Sequence, residues 1–267
     1  MNSCPVCCAD GKCEVSETMT EAMFLRCANC GLQFVTPLPA NIPVFVDFSN
    51  AARELFASLK AGLNIRTILT PSEDIALRWI KRSGRSGSAV LEICFESGRF
   101  LEALKRQGYA PFGVDPLSEH TALAREHGFC VNEGLVDSCG PEWPSTGLVV
   151  MLESLVRFPD PIAFLSSIKS KFPSASLIVS VPSPNRSLKS PGFDRRSDYP
   201  PHYLTRWTRQ SLRIAMERAG YNCSVKTAFI NANSLDVPAA VRALVRLAYR
   251  AIGEAEYSYI ALGKPKA

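Results

Sequence analysis

The chain has 267 residues, 46% of them hydrophobic and 21% charged, which is enough for one large α/β domain plus a small appendage and too apolar for wholesale disorder. Thirty Lys plus Arg against twenty-five Asp plus Glu leave a net charge of +5, well short of the clustered basic footprint of a dedicated nucleic-acid binder. No run of 18 apolar residues occurs, and the first 30 residues carry charges and six cysteines; no membrane span or secretory leader is expected, and the cytoplasm is the expected compartment.

Six of the ten cysteines fall between residues 4 and 30. In a chain without an export signal such a cluster reads as a metal site rather than as disulfides. Cys4 and Cys7 form one Cys-x-x-Cys pair and Cys27 and Cys30 another, with nineteen residues between the pairs. Each pair bends the chain into a turn that aims two thiolates at one point, and two turns supply the four tetrahedral ligands that Zn²⁺ prefers. Gly31 follows the second pair, where such a turn often needs a positive φ. Cys8 and Cys13 are spare thiols that compete for a ligand position. With four protein ligands the site is closed to water and substrate, which makes it structural. Cys94, Cys130, Cys139 and Cys223 are scattered and read as small buried hydrophobes.

Residues 1–39 are therefore expected to form a zinc ribbon, 40–83 a linker with helices, and 84–267 the α/β domain. Leu32 to Pro39 reads as a strand followed by a Pro-punctuated linker, and a connecting helix is expected around Arg53 to Leu63. Thr70-Pro71-Ser72-Glu73 is a capping box opening a helix that ends near Arg82. Ala89 to Cys94 is a short buried strand, and Arg99 to Gln107 is a helix closed by Gly108. Pro111 to Asp115 is a second strand, ending in a carboxylate, and Ser118 to His127 a helix whose His120 and His127 are expected on its solvated surface. Phe129 to Val131, Leu148 to Leu152 and Ser176 to Val181 are further strands. Helices are expected from Asp160 to Lys171 and from Thr208 to Ala219. Asn222 to Phe229 and Glu256 to Leu262 complete the strands, with a helical insert around Val237 to Ile252 between them. Apolar strands alternating with helices imply a doubly wound, seven-stranded, mostly parallel sheet, Rossmann-like, whose ligands bind at the carboxyl ends of the strands.

Asp115 lies 17 residues beyond Gly98, close to the distance at which an acidic side chain reaches ribose hydroxyls. At this point the chain resembles the class I S-adenosylmethionine-dependent methyltransferases. Val90 to Leu101 resembles their first motif, Phe112-Gly113-Val114-Asp115-Pro116 the second, and Met151-Leu152-Glu153 through Pro161 the fourth-strand motif. Gly31 to Pro39 and Pro200 to Thr205 resemble segments of a subgroup that carries an N-terminal zinc ribbon. The resemblance implies S-adenosylmethionine as cofactor, held by Glu92, Cys94, Glu96, Gly98, Asp115, Met151 and Leu152. Two first-motif glycines correspond here to Cys94 and Glu96, where a Cβ occupies space that glycine leaves free. Leu135, Gly147 and Val156-Arg157 are further departures.

Methyl transfer needs positioning and desolvation, and a base only where the acceptor must lose a proton. His202, between the fifth strand and the next helix, is the candidate base, and Tyr199 and Tyr203 line an acceptor pocket or pack the loop. Arg195, Arg196, Arg206, Arg209 and Arg213 are candidates to meet a phosphorylated acceptor. Arg242, Arg246 and Arg250 make one basic stripe on the helical insert. The expected function is methyl transfer from S-adenosylmethionine to a small-molecule acceptor. The rivals are a catalytically inactive binding or regulatory subunit and a nucleic-acid modifying or binding protein.

Overall fold

Segments 89–93, 148–151 and 176–182 are apolar nearly throughout and almost wholly buried. Strands of that kind need cover on both faces, and they form the centre of a parallel sheet. The computed structural model describes residues 3–9, 12–43, 45–83, 87–139, 146–186, 198–229 and 256–266, with positions 241, 244 and 247. In chain order these form β1 (Cys13–Thr18), β2 (Met23–Cys27), β3 (Gln33–Thr36), α1 (Ser49–Lys60), α2 (Pro71–Ser83), β4 (Ala89–Ile93), α3 (Arg99–Arg106) and β5 (Ala110–Asp115). There follow α4 (Ser118–Glu126), β6 (Cys130–Glu133), β7 (Leu148–Met151), α5 (Pro161–Lys171), β8 (Ser176–Pro182), β9 (Thr205–Arg206), α6 (Arg209–Arg218), β10 (Tyr221–Phe229) and β11 (Glu256–Pro265).

The large sheet has seven strands in the order β10-β11-β8-β7-β4-β5-β6. β11 runs antiparallel to both its neighbours, and the pairs from β8 through β6 are parallel. Ile93 pairs with Val114 on one side and Met151 on the other, so the carboxyl ends of β4, β5 and β7 open onto one edge. Alternate residues serve opposite faces. Leu91, Ile93, Val149, Met151, Leu177 and Val179 pack with α5, α6 and the N-terminal head, whereas Val90, Val150 and Ile178 pack with α1 to α4.

The N-terminal head joins that architecture through a second sheet, ordered β1-β2-β3-β9. Its last strand comes from the far side of the chain, with Gln33 opposite Arg206 and Phe34 opposite Thr205. Thr208 is the N-cap of α6, and its Oγ1 also donates to the Cys30 carbonyl at 2.7 Å. Gly31 stands here with φ +74, and a Cβ on it would lie 2.8 Å from Thr208 Cγ2.

Apart from the helical insert, the expected elements from 70 onward are present within a few residues of their expected ends. Thr70 N donates to Glu73 Oε2 at 2.6 Å and Thr70 Oγ1 accepts from Glu73 N at 3.2 Å, which completes the capping box of α2. Strands β1, β2 and β9 were not expected. The first is mostly polar and leaves Val15 58% exposed, so it carries little hydrophobic alternation. The helical insert lies outside the described residues except at Val241, Leu244 and Leu247, which are helical and exposed; its arginine stripe falls outside them. Among the described residues no helix is long and apolar enough to cross a membrane. Two side-chain expectations are corrected: His120 is 2% exposed rather than on the helix surface, because its ring bridges two polar partners beneath α4, and Cys130 is exposed rather than buried because it opens the edge strand β6.

Candidate active site and metal centre

Each Cys-x-x-Cys pair sits in a turn followed by a left-handed residue, Cys8 at φ 53 and Gly31 at φ 74. The turns close through Cys8 N to Cys4 O at 2.9 Å and Gly31 N to Cys27 O at 2.8 Å. They bring the Sγ atoms of Cys4, Cys7, Cys27 and Cys30 within 4.8 Å of one another. Cys4 and Cys30 are separated by 3.6 Å and Cys7 and Cys27 by 3.5 Å. Four sulfurs around a tetrahedral Zn²⁺ at bond lengths near 2.3 Å lie about 3.8 Å apart, so this donor set fits zinc. Cys8 and Cys13 are not part of the cluster. Cys8 instead accepts from Arg218 at 3.0 Å.

The loop after β4 follows a path that glycine would take easily. Cys94, Glu96 and Gly98 have φ of 57, 51 and 74, and for a residue with a Cβ that region costs about 1 kcal/mol. The surroundings fix it: Cys94 N donates to Val114 O at 2.8 Å and Glu96 N to Asp115 Oδ2 at 2.9 Å. Phe95 packs its ring against Gly113, where a Cβ would lie 2.6 Å from the ring edge. A cavity of about 330 Å³ remains at this edge of the sheet.

Of the positions that the family resemblance assigned to the cofactor, Glu92, Cys94, Glu96 and Leu152 line that cavity, while Gly98, Asp115 and Met151 do not. Met151 is buried in the sheet, and Gly98 is the left-handed N-cap of α3. The Asp115 carboxylate is engaged from within. It accepts from Glu96 N, from Leu117 N at 3.0 Å and from His120 Nδ1 at 2.9 Å. His120 Nε2 in turn accepts from Phe48 N at 2.8 Å, so the Asp115 carboxylate is tied to the segment before α1.

The cavity is rich in charge that periodicity alone did not reveal. Arg99 pairs with Glu73 at 2.9 Å, Arg157 with Glu96 at 3.1 Å, and Arg186 with Asp198. Glu92 is buried and its Oε2 has no hydrogen-bond partner among the described residues; burial, reinforced by the nearby Glu73, pushes its carboxyl well above the usual range. Glu153, just past β7, has φ 57, and its Oε1 accepts from Ser72 Oγ at 3.0 Å and Ser180 Oγ at 2.7 Å. Burial raises it to about 7, with the Ser180 hydroxyl working in the opposite direction. For Glu96, burial outweighs the attraction of Arg157 and the carboxyl is raised. Of these residues only Glu92 and Glu96 were placed among the cofactor-binding positions from the sequence; Glu73, Glu153 and Arg157 were read only as parts of motifs. Glu153 carried a usable signal, a carboxylate at the carboxyl end of a central strand.

A second cavity of about 640 Å³ adjoins the first and shares Arg186 and Tyr203 with it. Glu17 and Gln33 of the head, Tyr199 and Arg206 also line it. Tyr203 therefore lines both cavities, and Tyr199 donates to Glu17 at 2.7 Å. Arg206 pairs with Glu17 at 2.6 Å. Arg209 donates to the Val225 carbonyl at 3.0 Å, and Arg213 stands 3.9 Å from Glu217, both away from the cavities. Arg195 and Arg196 lie outside the described residues. His202 lines neither of these two cavities. Its Nδ1 is buried without a partner among the described residues.

A family profile described as a methyltransferase domain matches residues 70–224. No curated protein sequence matches the chain. Among solved structures, a protein in a complex with the Haloferax volcanii Trm112 methyltransferase activator is 20% identical with a TM-score of 0.57, over 84% of this chain and 100% of that one. A SAM-dependent methyltransferase from Archaeoglobus fulgidus is 18% identical with a TM-score of 0.50, over 72% and 94%. The Burkholderia thailandensis 1,6-didemethyltoxoflavin-N1-methyltransferase, solved with its substrate and S-adenosylhomocysteine, is 14% identical with a TM-score of 0.51, over 95% and 100%. At these identities the likeness is one of fold. With the matched profile spanning more than half of the chain and the strand order around the cavity as described, this protein belongs to the class I S-adenosylmethionine-dependent methyltransferase family.

Proposed function

We propose that the protein transfers a methyl group from S-adenosylmethionine to a small-molecule acceptor, with a structural zinc ion in the cysteine head. The observation that carries the reading is the loop after β4. It keeps the left-handed backbone at Cys94, Glu96 and Gly98 although two of the three positions are not glycine, and it leaves a cavity open beside an orphaned Glu92 oxygen. Strain of this kind persists only where the surroundings over-determine it, and it concentrates at ligand sites.

In this reading Glu92 takes the ammonium of the cofactor's amino-acid end, which would supply the missing partner for its Oε2. Leu152 and Cys94 form the apolar wall, and the Glu96–Arg157 pair bounds the cavity beside them. Bound there, S-adenosylmethionine would supply an electrophilic methyl group, its sulfur keeping the electron pair of the bond to that methyl as the acceptor takes the group. The chain's own contribution is positioning and exclusion of water. The adjoining cavity, reached past Arg186 and Tyr203, is the acceptor's side. The position of His202 outside both cavities gives it no support as the base.

Asp115 favours the second reading, that of a relative without catalysis. Its carboxylate is 2% exposed and already holds three donors, so a ribose would have to displace the His120–Phe48 linkage. Calorimetric titration with S-adenosylmethionine separates the two. Binding that weakens in Glu92→Gln is expected. No heat at millimolar cofactor, with heat appearing once glycines replace Cys94 and Glu96, would establish the non-catalytic relative.

A further inference from the structure

The charges of the cavity do not balance. Each arginine that lines it already has a carboxylate: Arg99 has Glu73, Arg157 has Glu96, and Arg186 has Asp198 from the neighbouring cavity. Two lining carboxyls, Glu92 and Glu153, have no such partner among the described residues. Glu92 lies within β4, beside the loop assigned above to the cofactor. Glu153 sits one strand away, past the end of β7, in the cavity whose wall of Arg186 and Tyr203 is shared with the acceptor side. Two hydroxyls, from Ser72 on α2 and Ser180 on β8, converge on its Oε1. A left-handed backbone holds it there at φ 57. Phe48, Tyr203 and Tyr257 line the same space; Arg157 and Arg186 already stand over the Tyr203 ring, and Phe48 and Tyr257 add aromatic rings of the kind that attract cations.

We propose that Glu153 binds the acceptor as an ammonium and takes its proton, so that the acceptor is an amine. This rests on the methyl-transfer reading and names its substrate class and base. In the step, one N–H bond of the ammonium breaks and an O–H bond forms on the Glu153 carboxylate. The electron pair stays on nitrogen, which becomes the nucleophile, and the proton leaves to water after release of product. The pair is matched in basicity as well as charge. Glu153 titrates at about 7, and an alkylammonium near 10 lies about 3 units away, against about 9 for a hydroxyl resembling water. The charged and titratable groups that line the cavity with Glu153 are the Glu73–Arg99 and Glu96–Arg157 pairs, Glu92, Cys94, Arg186, Tyr203 and Tyr257. The arginines are paired, and burial raises both tyrosines above their ordinary range. Burial, reinforced by the nearby Glu73, raises the Glu92 carboxyl well above the usual range.

The test uses the full chain saturated with S-adenosylhomocysteine and matched probes: phenethylamine against 2-phenylethanol, and ethanolamine against ethylene glycol. Calorimetry is expected to show at least one amine binding about tenfold or more tighter than its alcohol, the size of a charge-assisted hydrogen bond. Below pH 7 Glu153 is neutral, so that preference grows as pH climbs through about 7. Glu153→Gln should erase the preference and its pH dependence while leaving the affinity for S-adenosylhomocysteine unchanged. Glu153→Asp, which keeps a carboxylate, should retain part of both. Equal binding of amine and alcohol, no binding of any probe, or an intact preference in Glu153→Gln would overturn the proposal and leave methyl transfer standing. Failure of S-adenosylhomocysteine itself to bind would remove the methyl-transfer reading and this inference with it.

Discussion

The cysteine head and the loop after β4 solve one problem, a sharp turn that presents groups to a point, with opposite means. In the head the turning positions are outside the ligand set: Cys8 and Gly31 take the left-handed dihedrals and the four ligand cysteines do not. In the loop the turning positions are themselves cavity-lining side chains, Cys94 and Glu96. A metal site needs only sulfur atoms at fixed distances. A cofactor site needs the backbone to come close, and here side chains occupy part of that approach. The head's four clustered positions are thus all cysteine, while the loop takes left-handed dihedrals at two positions that carry side chains.

The largest expected effect tests the metal half of that comparison. Cys4, Cys27 and Cys30 are buried in the cluster that also holds Leu212 and Met216 of α6. Loss of the ion should therefore loosen the α6 face of the sheet as well as the head. Cys27→Ser, or removal of metal by a chelator, is expected to cost about 4 kcal/mol or more in denaturant unfolding. Metal analysis of the untreated protein should give about one zinc per chain. A metal-free protein with an unchanged unfolding midpoint would show that packing alone holds the head.

Next in size is the cost of keeping Glu153 in the cavity. Its folded value of about 7 lies above the ordinary 4.5, so the fold binds a proton more tightly than the unfolded chain does. Stability from this group is complete below about pH 4.5 and is lost as pH rises to about 7, by about 3 kcal/mol in total. Glu153→Gln cannot ionise, and unfolding curves at pH 8 and pH 4 should show it gaining on the parent only at the higher pH. A constant difference across that range would place the group in a wetter setting than the structure gives it.

Packing around the loop gives a third, smaller effect. A Cβ on Gly113 would meet Phe95 Cδ1 at 2.6 Å, and one on Gly147 would meet nothing within 4 Å. Gly113→Ala is expected to destabilise by about 2 kcal/mol through overpacking, and Gly147→Ala to stay within about 0.5 kcal/mol of the parent. Because Phe95 is next to Cys94 and Glu96, the first change should also weaken S-adenosylmethionine binding. Equal unfolding midpoints for the two variants would mean that the ring moves aside freely.

How much of this was legible in the residues follows from which signals are local. The cysteine spacing, the capping box at Thr70 and Glu73, the Asp160 cap and the apolar strand runs are local, and each element they announce is present. Strand β9 was not legible, since two residues acquire strand character only by pairing with Gln33 and Phe34 far back in the chain. His120 was read as a surface residue because a helix of modest amphipathicity hides which face meets Asp115 and Phe48. The candidate site divides the same way. Glu92, Cys94, Glu96 and Leu152 were placed by motif and line the cavity, but the pairing of Arg157 with Glu96 across 61 positions could not be read from spacing.

The smallest effect separates the two turns directly. Cys8 and Cys94 share nearly the same φ, 53 and 57, but Cys8 is exposed and Cys94 is buried. Glycine at either position removes a left-handed penalty of about 1 kcal/mol and adds about half of that in unfolded-chain entropy. At Cys8 little else changes apart from the contact to Arg218, so Cys8→Gly should stabilise by about 0.5 kcal/mol. At Cys94 the buried thiol is also lost, at about 0.8 kcal/mol for a group of that size, so Cys94→Gly should come out slightly destabilised. Denaturant midpoints of the two variants, measured side by side, decide it. Equal gains would mean that the Cys94 side chain contributes nothing to the packing, and the loop would then owe its left-handed path to the hydrogen bonds that Cys94 N donates to the Val114 carbonyl and Glu96 N to the Asp115 carboxylate.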